Sequence, residues 1–106
     1  MGKLTLEVKM EAAEREGILN PAGYDPHHCF FKSEYHKEDI NDAWNIEPER
    51  RCSHNWIHNA GNDEELKKGH KREIVLKEKA LGRYKGKHKY LLIKILEEKK
   101  KHYEIR

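Results

Sequence analysis

Residues 24–59 read YDPHHCFFKSEYHKEDINDAWNIEPERRCSHNWIHN, and the spacing of their histidines decides how the chain is read. His54 and His58 are four apart. A helix over residues 51–59, stopped by Ala60-Gly61-Asn62, places them on one face a turn apart. Two imidazoles there can converge on a cation. A metal needs at least a third ligand, and the His27-His28 pair can supply it. The pair opens a short segment with aromatics, residues 27–31, that fits a strand. Adjacent strand side chains point to opposite faces. One histidine of the pair can therefore join a metal while the other stays free for proton transfer. Metal-assisted hydrolysis requires that division of labour.

Outward from this stretch, the patterning predicts short elements. Residues 4–16 read as a helix, with Leu6, Lys9, Met10 and Ala13 on one face and Gly17 at its end. Pro21, Gly23 and Pro26 mark residues 20–26 as loop. Residues 32–43 are polar and read as a connection. Residues 44–47 fit a second short strand stopped by Pro48. Residues 71–84 read as a helix, Gly86 punctuates, and residues 88–103 keep a helical stripe of Leu92, Ile95, Leu96 and Tyr103. The Lys99-Lys100-Lys101 run is expected to fray.

Composition sets the bounds. The chain has 106 residues, one domain's worth, with 39% charged and 36% hydrophobic residues and a mean hydropathy of −1.10. No apolar run is long enough to cross a membrane, and no signal-peptide pattern opens the chain. The core is expected to be modest, with a metal or partner supplying part of the stability. Cys29 and Cys52 make no disulfide framework and read as small buried hydrophobes. A cytoplasmic protein is the default. The net charge of +3 hides an asymmetry: residues 1–65 carry 7 Lys/Arg against 14 Asp/Glu, and residues 66–106 carry 15 against 5. A basic half suggests a polyanion partner. His36 reads as an exposed loop residue, and His70, His88 and His102 as decoration of solvated faces.

The order of these residues resembles the HNH, or ββα-metal, nuclease family. The stretch has an HH pair, a variable loop, Asn45 followed by Ile46, His54 nine residues after Asn45, and His58 four further on. The pattern is most similar to the all-histidine sites of colicin-type and phage HNH endonucleases, so a phage origin is compatible with it. It covers about a third of the chain. The two Cys pairs that many HNH proteins carry are missing: Arg50 and Ser53 stand where the second would be.

The resemblance implies an α+β fold with a small ββα-metal core over residues 24–61, a two-stranded hairpin plus a metal-binding helix. An N-terminal helix over residues 1–20 and a basic helical extension over 62–106 would complete a single domain. It implies His27, His54 and His58 as ligands of one divalent metal ion, His28 as general base, and Asn45 as the residue that bonds the loop backbone and holds His28. Imidazole ligands favour zinc, nickel or manganese, while magnesium often supports the family. The implied activity is endonucleolytic hydrolysis of DNA, double-stranded and with weak sequence specificity, leaving 5′-phosphate and 3′-hydroxyl ends. Lys67, Lys68, Lys71 and Arg72 would hold the backbone, and Arg50 and Arg51 the phosphates around the cut. The competing readings are a non-catalytic zinc-containing nucleic-acid-binding module, a DNA-binding adaptor, and an interaction protein whose histidines are incidental.

Overall fold

The computed structural model describes residues 4–20 and 22–104. Pro21, read above as part of a loop, and residues 1–3 of the N-terminal segment lie outside the described residues. Among the described residues the architecture is α+β: four α-helices and one two-stranded antiparallel hairpin. The order is α1 (Leu6–Arg15), β1 (Tyr24–His28), a single 3₁₀ turn (Ala43–Asn45), β2 (Ile46–Arg50), α2 (Arg51–His58), α3 (Asp63–Arg83) and α4 (Lys89–His102).

The hairpin runs three residues earlier in β1 and two later in β2 than the pattern predicts, and Pro48 lies inside β2 rather than stopping it. The register explains this. Pro26 pairs with Pro48, while the Cys29 N–H donates to the Asn45 carbonyl at 2.8 Å. Counting back from that bonded pair, the two prolines meet where an antiparallel ladder needs no N–H from either strand.

Directly opposed residues share a face of the hairpin. Tyr24, Pro26, Ile46 and Pro48 turn toward α1, which lays Ala12 and Ala13 against it. The other face carries Asp25, His27, Glu47 and Glu49, and α2 and α3 cover it. Leu6 and Met10 are 70% and 52% exposed, so of the stripe the sequence suggested α1 buries Ala13, together with Ala12.

α3 starts eight residues earlier than expected. Asn62 caps it by accepting from the Glu65 N–H at 2.9 Å, and Asp63, Glu64 and Glu65 oppose the helix dipole in its first turn. α3 and α4 supply most of the core: Ile74, Leu76, Ala80, Tyr84, Leu92, Ile95 and Leu96 pack with Cys29, Phe30, Tyr35 and Ile40.

Three further expectations are corrected. Cys52 is exposed, while Cys29 is buried. Lys99, Lys100 and Lys101 continue α4 instead of fraying, and Lys99 pairs with Glu34 at 3.4 Å. His70 stacks flat on Tyr103 with ring centroids 3.8 Å apart, and His88 lies 3.5 Å from Glu38, so neither merely decorates a solvated face. No helix among the described residues is long and apolar enough to cross a membrane.

Candidate metal centre

β1 places His27 and His28 on opposite faces. His27 points toward α2 and is 1% exposed. α2 presents His54 and His58 on its near face, and one ring nitrogen from each of the three histidines lies within 4.8 Å of the others. The three rings are 4.7 to 5.4 Å apart, centroid to centroid.

Both ring nitrogens of His27 are buried without a hydrogen-bond partner. A buried imidazole normally finds one, so these orphaned atoms fit a ligand that the cluster is built to take. Burial, reinforced by the neighbouring imidazoles of His54 and His58, pushes the pKa of His27 down to about 3. Burial also lowers that of His58. Both effects favour the neutral imidazole, whose lone pair is what a metal binds.

Asp25 was not anticipated. It sits two residues before His27, hence on the same strand face, and its Oδ2 lies 3.1 Å from His54 Nδ1. A carboxylate there fixes the ring and leaves Nε2 as the atom free to ligate. Strand alternation through residues 25 and 27 was the available signal, but the reading of residues 20–26 as loop concealed it.

His28 is not part of the three-nitrogen group, lines the depression beside it and is half-buried. Its Nε2 lies 2.8 Å from Asn41 Oδ1, and burial lowers its pKa despite that bond. Asn45 bonds the loop backbone, and its side-chain hydrogen bonds go to Phe30 and Ile40 rather than to His28. It clamps the chain that follows: Oδ1 accepts from the Phe30 N–H at 2.7 Å, and Nδ2 donates to the carbonyls of Phe30 at 3.0 Å and Ile40 at 2.9 Å.

A second clamp comes from α3. Lys77 is fully buried, donates to the Cys29 carbonyl at 2.8 Å, and pairs with Glu34 at 2.7 Å and Glu73 at 3.0 Å. Glu34 in turn accepts from the Phe31 N–H at 2.9 Å. Residues 29–31, the turn leaving the histidine pair, are thus held from both sides. Lys77 carried no sequence signal, because a helical lysine reads as solvated.

The basic residues named from sequence separate into groups. Lys67 and Lys71 are exposed on α3. Lys68 lies over the Trp56 ring at 5.3 Å and 3.9 Å from Glu64. Arg72 makes a two-pronged bond to the buried Glu49, at 2.8 and 2.9 Å, and so ties α3 to the hairpin instead of facing solvent. Arg51 lies 3.7 Å from Asp25. Arg50 is exposed, its guanidinium 5.8 Å from the Tyr24 ring centre.

Neither cysteine joins the cluster. Cys29 Sγ lies 4.0 Å from Arg83, and burial pushes its pKa up to about 12. Among the described residues, the group that could hold a metal ion is His27, His54 and His58. No family model, curated protein or solved structure matches the chain.

Proposed function

We propose that the protein is a metal-dependent endonuclease of the HNH type, hydrolysing phosphodiester bonds of double-stranded DNA with weak sequence specificity. The observation that carries this reading is the split of one histidine pair: His27 joins a three-imidazole cluster while His28, its neighbour, stays out of that cluster and lines the depression beside it. Hairpin and helix α2 together then form the ββα-metal core.

Three protein ligands leave coordination open, as catalytic sites require, whereas a closed structural zinc takes four. That favours the nuclease over a purely structural zinc module. Zinc, nickel and manganese suit an all-imidazole set better than magnesium does. When bound, the cation supplies Lewis acidity toward the charge that develops on the phosphodiester. His28, kept neutral at pH 7 by its burial, accepts the proton of the attacking water. Asn41 holds the His28 ring, and Asn45 and Lys77 hold the backbone beyond it. Exposed lysines of α3, Lys67 and Lys71 among them, attract the polyanion without reading its sequence.

The test is plasmid cleavage across Mg²⁺, Mn²⁺, Ni²⁺ and Zn²⁺ with a chelator control. Nicking and linearisation restored by at least one of the ions support the reading. Tight metal binding without cleavage under any ion would replace it with the structural-zinc module.

A further inference from the structure

Beside the histidine cluster lies an open depression of about 410 Å³, walled by Pro26, His27, His28, Phe31, Lys32, Ser33, His54 and His58. Its floor is ligand chemistry and one aromatic ring. Phe31 lies 5.4 Å from the His58 ring and 5.8 Å from the His27 ring.

The cations around this depression differ in how far they are already committed. Lys77 is buried beneath Phe31, its Nζ 3.7 Å from the ring centre, and is held by two carboxylates. Lys99 pairs with the same Glu34 and Glu73, at 3.4 and 3.6 Å. Arg72 is locked on Glu49, and Arg51 leans on Asp25. Arg50 lies over Tyr24 and does not wall the depression. Lys32 is different: it is exposed, it forms part of the wall, and it has no ion pair among the described residues.

From this placement we infer that Lys32, assisted by the neighbouring Ser33 hydroxyl, holds a phosphate of the bound polynucleotide beside the histidine cluster. The inference rests on the nuclease reading and adds to it the contact that seats the strand. An unpaired ammonium on a flexible stem suits this task. It loses no internal salt bridge on binding, and it releases a counterion from the nucleic acid. Lys32 and His28 line the same depression, so both stand at one mouth of the site. Arg50 and Arg51, singled out from sequence because they stand next to the helix, are poorer anchors because each already has a partner.

The experiment compares wild type, Lys32→Ala and Lys32→Arg, all metal-loaded, on a linear DNA duplex. One arm measures equilibrium binding across salt concentration with zinc present, and does not depend on cleavage. The other measures steady-state cutting with manganese. For Lys32→Ala the binding slope against log salt should fall by about one counterion. KM should rise roughly tenfold, with the change in KM well exceeding that in kcat. Lys32→Arg should restore most of both, since its charge is retained.

An unchanged salt slope in Lys32→Ala overturns the assignment. So does a loss confined to kcat, which would mean that Lys32 acts on the histidines rather than on the strand. If wild type binds DNA but cuts under no ion, the nuclease reading fails. The slope difference then still decides whether Lys32 holds phosphate.

Discussion

Gly69 of α3 meets the backbone carbonyl of Trp56 in α2 with no room for a side chain between them. Trp56 lies between His54 and His58, so this contact sets the height of the helix that carries both histidines against the rest of the molecule. α2 is only eight residues long and has no fully buried residue of its own. Its position is borrowed from α3.

Gly69→Ala therefore tests whether α3 seats the site. Alanine should favour the helix by up to about 1 kcal/mol, but the collision with Trp56 should cost more, on the order of 1–3 kcal/mol. Urea unfolding should show net destabilisation, and metal titration should show weaker binding. A variant that is more stable and binds metal as wild type does would mean that α2 is free to shift.

How much of this was legible in the sequence differs by element. The His54/His58 pair was readable because a helical period fixes who shares a face. Strand alternation made it readable that one histidine of the adjacent pair would join them, and the resemblance to HNH nucleases is what pointed to His27. The strand limits were not readable, because Pro26 and Pro48 look like stops until their pairing shows that neither N–H is needed. Lys77 and Glu73 were missed because burying a charge is costly and only a tertiary partner, here the turn at residues 29–31, makes it tolerable. The two α3 arginines at 72 and 83 look like surface cations in sequence. They are bound instead to Glu49 and Glu47, carboxylates buried on the hairpin.

Asp25→Asn separates orientation of a ligand from ligation. The amide keeps the shape but loses the charge that holds His54 Nδ1, now 3.1 Å from the carboxylate. Metal affinity should drop by roughly 10- to 100-fold, with the fold retained by circular dichroism. Affinity unchanged in a zinc titration would make the Asp25–His54 contact incidental.

Adjacent histidines should behave differently. His28→Ala should lower the cutting rate by roughly 10²- to 10⁴-fold while isothermal titration still shows metal binding. His54→Ala should weaken metal binding itself, and added metal should recover part of its cutting. If His28→Ala loses metal as badly as His54→Ala, His28 is a ligand and its role as base is wrong.

The metal-free protein should be acid-sensitive in the window set by His27. Its folded pKa is about 3, below the ordinary 6.5 of an exposed histidine. As pH falls, the unfolded chain takes up the proton first, so stability declines from about pH 6.5 downward. The slope should approach about 1.4 kcal/mol per pH unit for this one proton. His28 and His58, also lowered, act in the same direction. Urea unfolding in chelator at pH 7, 6 and 5 measures it. A flat profile would contradict a buried neutral His27.

Removal of residues 62–106 asks whether the histidine core is autonomous. On sequence grounds, a nuclease core cut free of its basic extension would keep weak activity. The packing predicts otherwise. Ile74, Leu76, Ala80, Tyr84, Leu92, Ile95 and Leu96 would all be lost from the core, as would the bond from Lys77 to the Cys29 carbonyl and that from Arg72 to Glu49. Glu47 and Glu49 would be stripped of α3 cations that pair with them on the hairpin. The remaining chain should be unfolded by circular dichroism, should bind zinc far more weakly, and should not cut. The full-length variant Lys77→Met offers a milder version. It leaves Glu34 and Glu73 with Lys99 as their remaining cationic partner among the described residues and should destabilise the fold by about 3–5 kcal/mol, the usual cost of breaking a buried pair. A truncated chain that stays folded and holds metal would show that hairpin and α2 form a self-sufficient unit, and that α3 and α4 are an attachment.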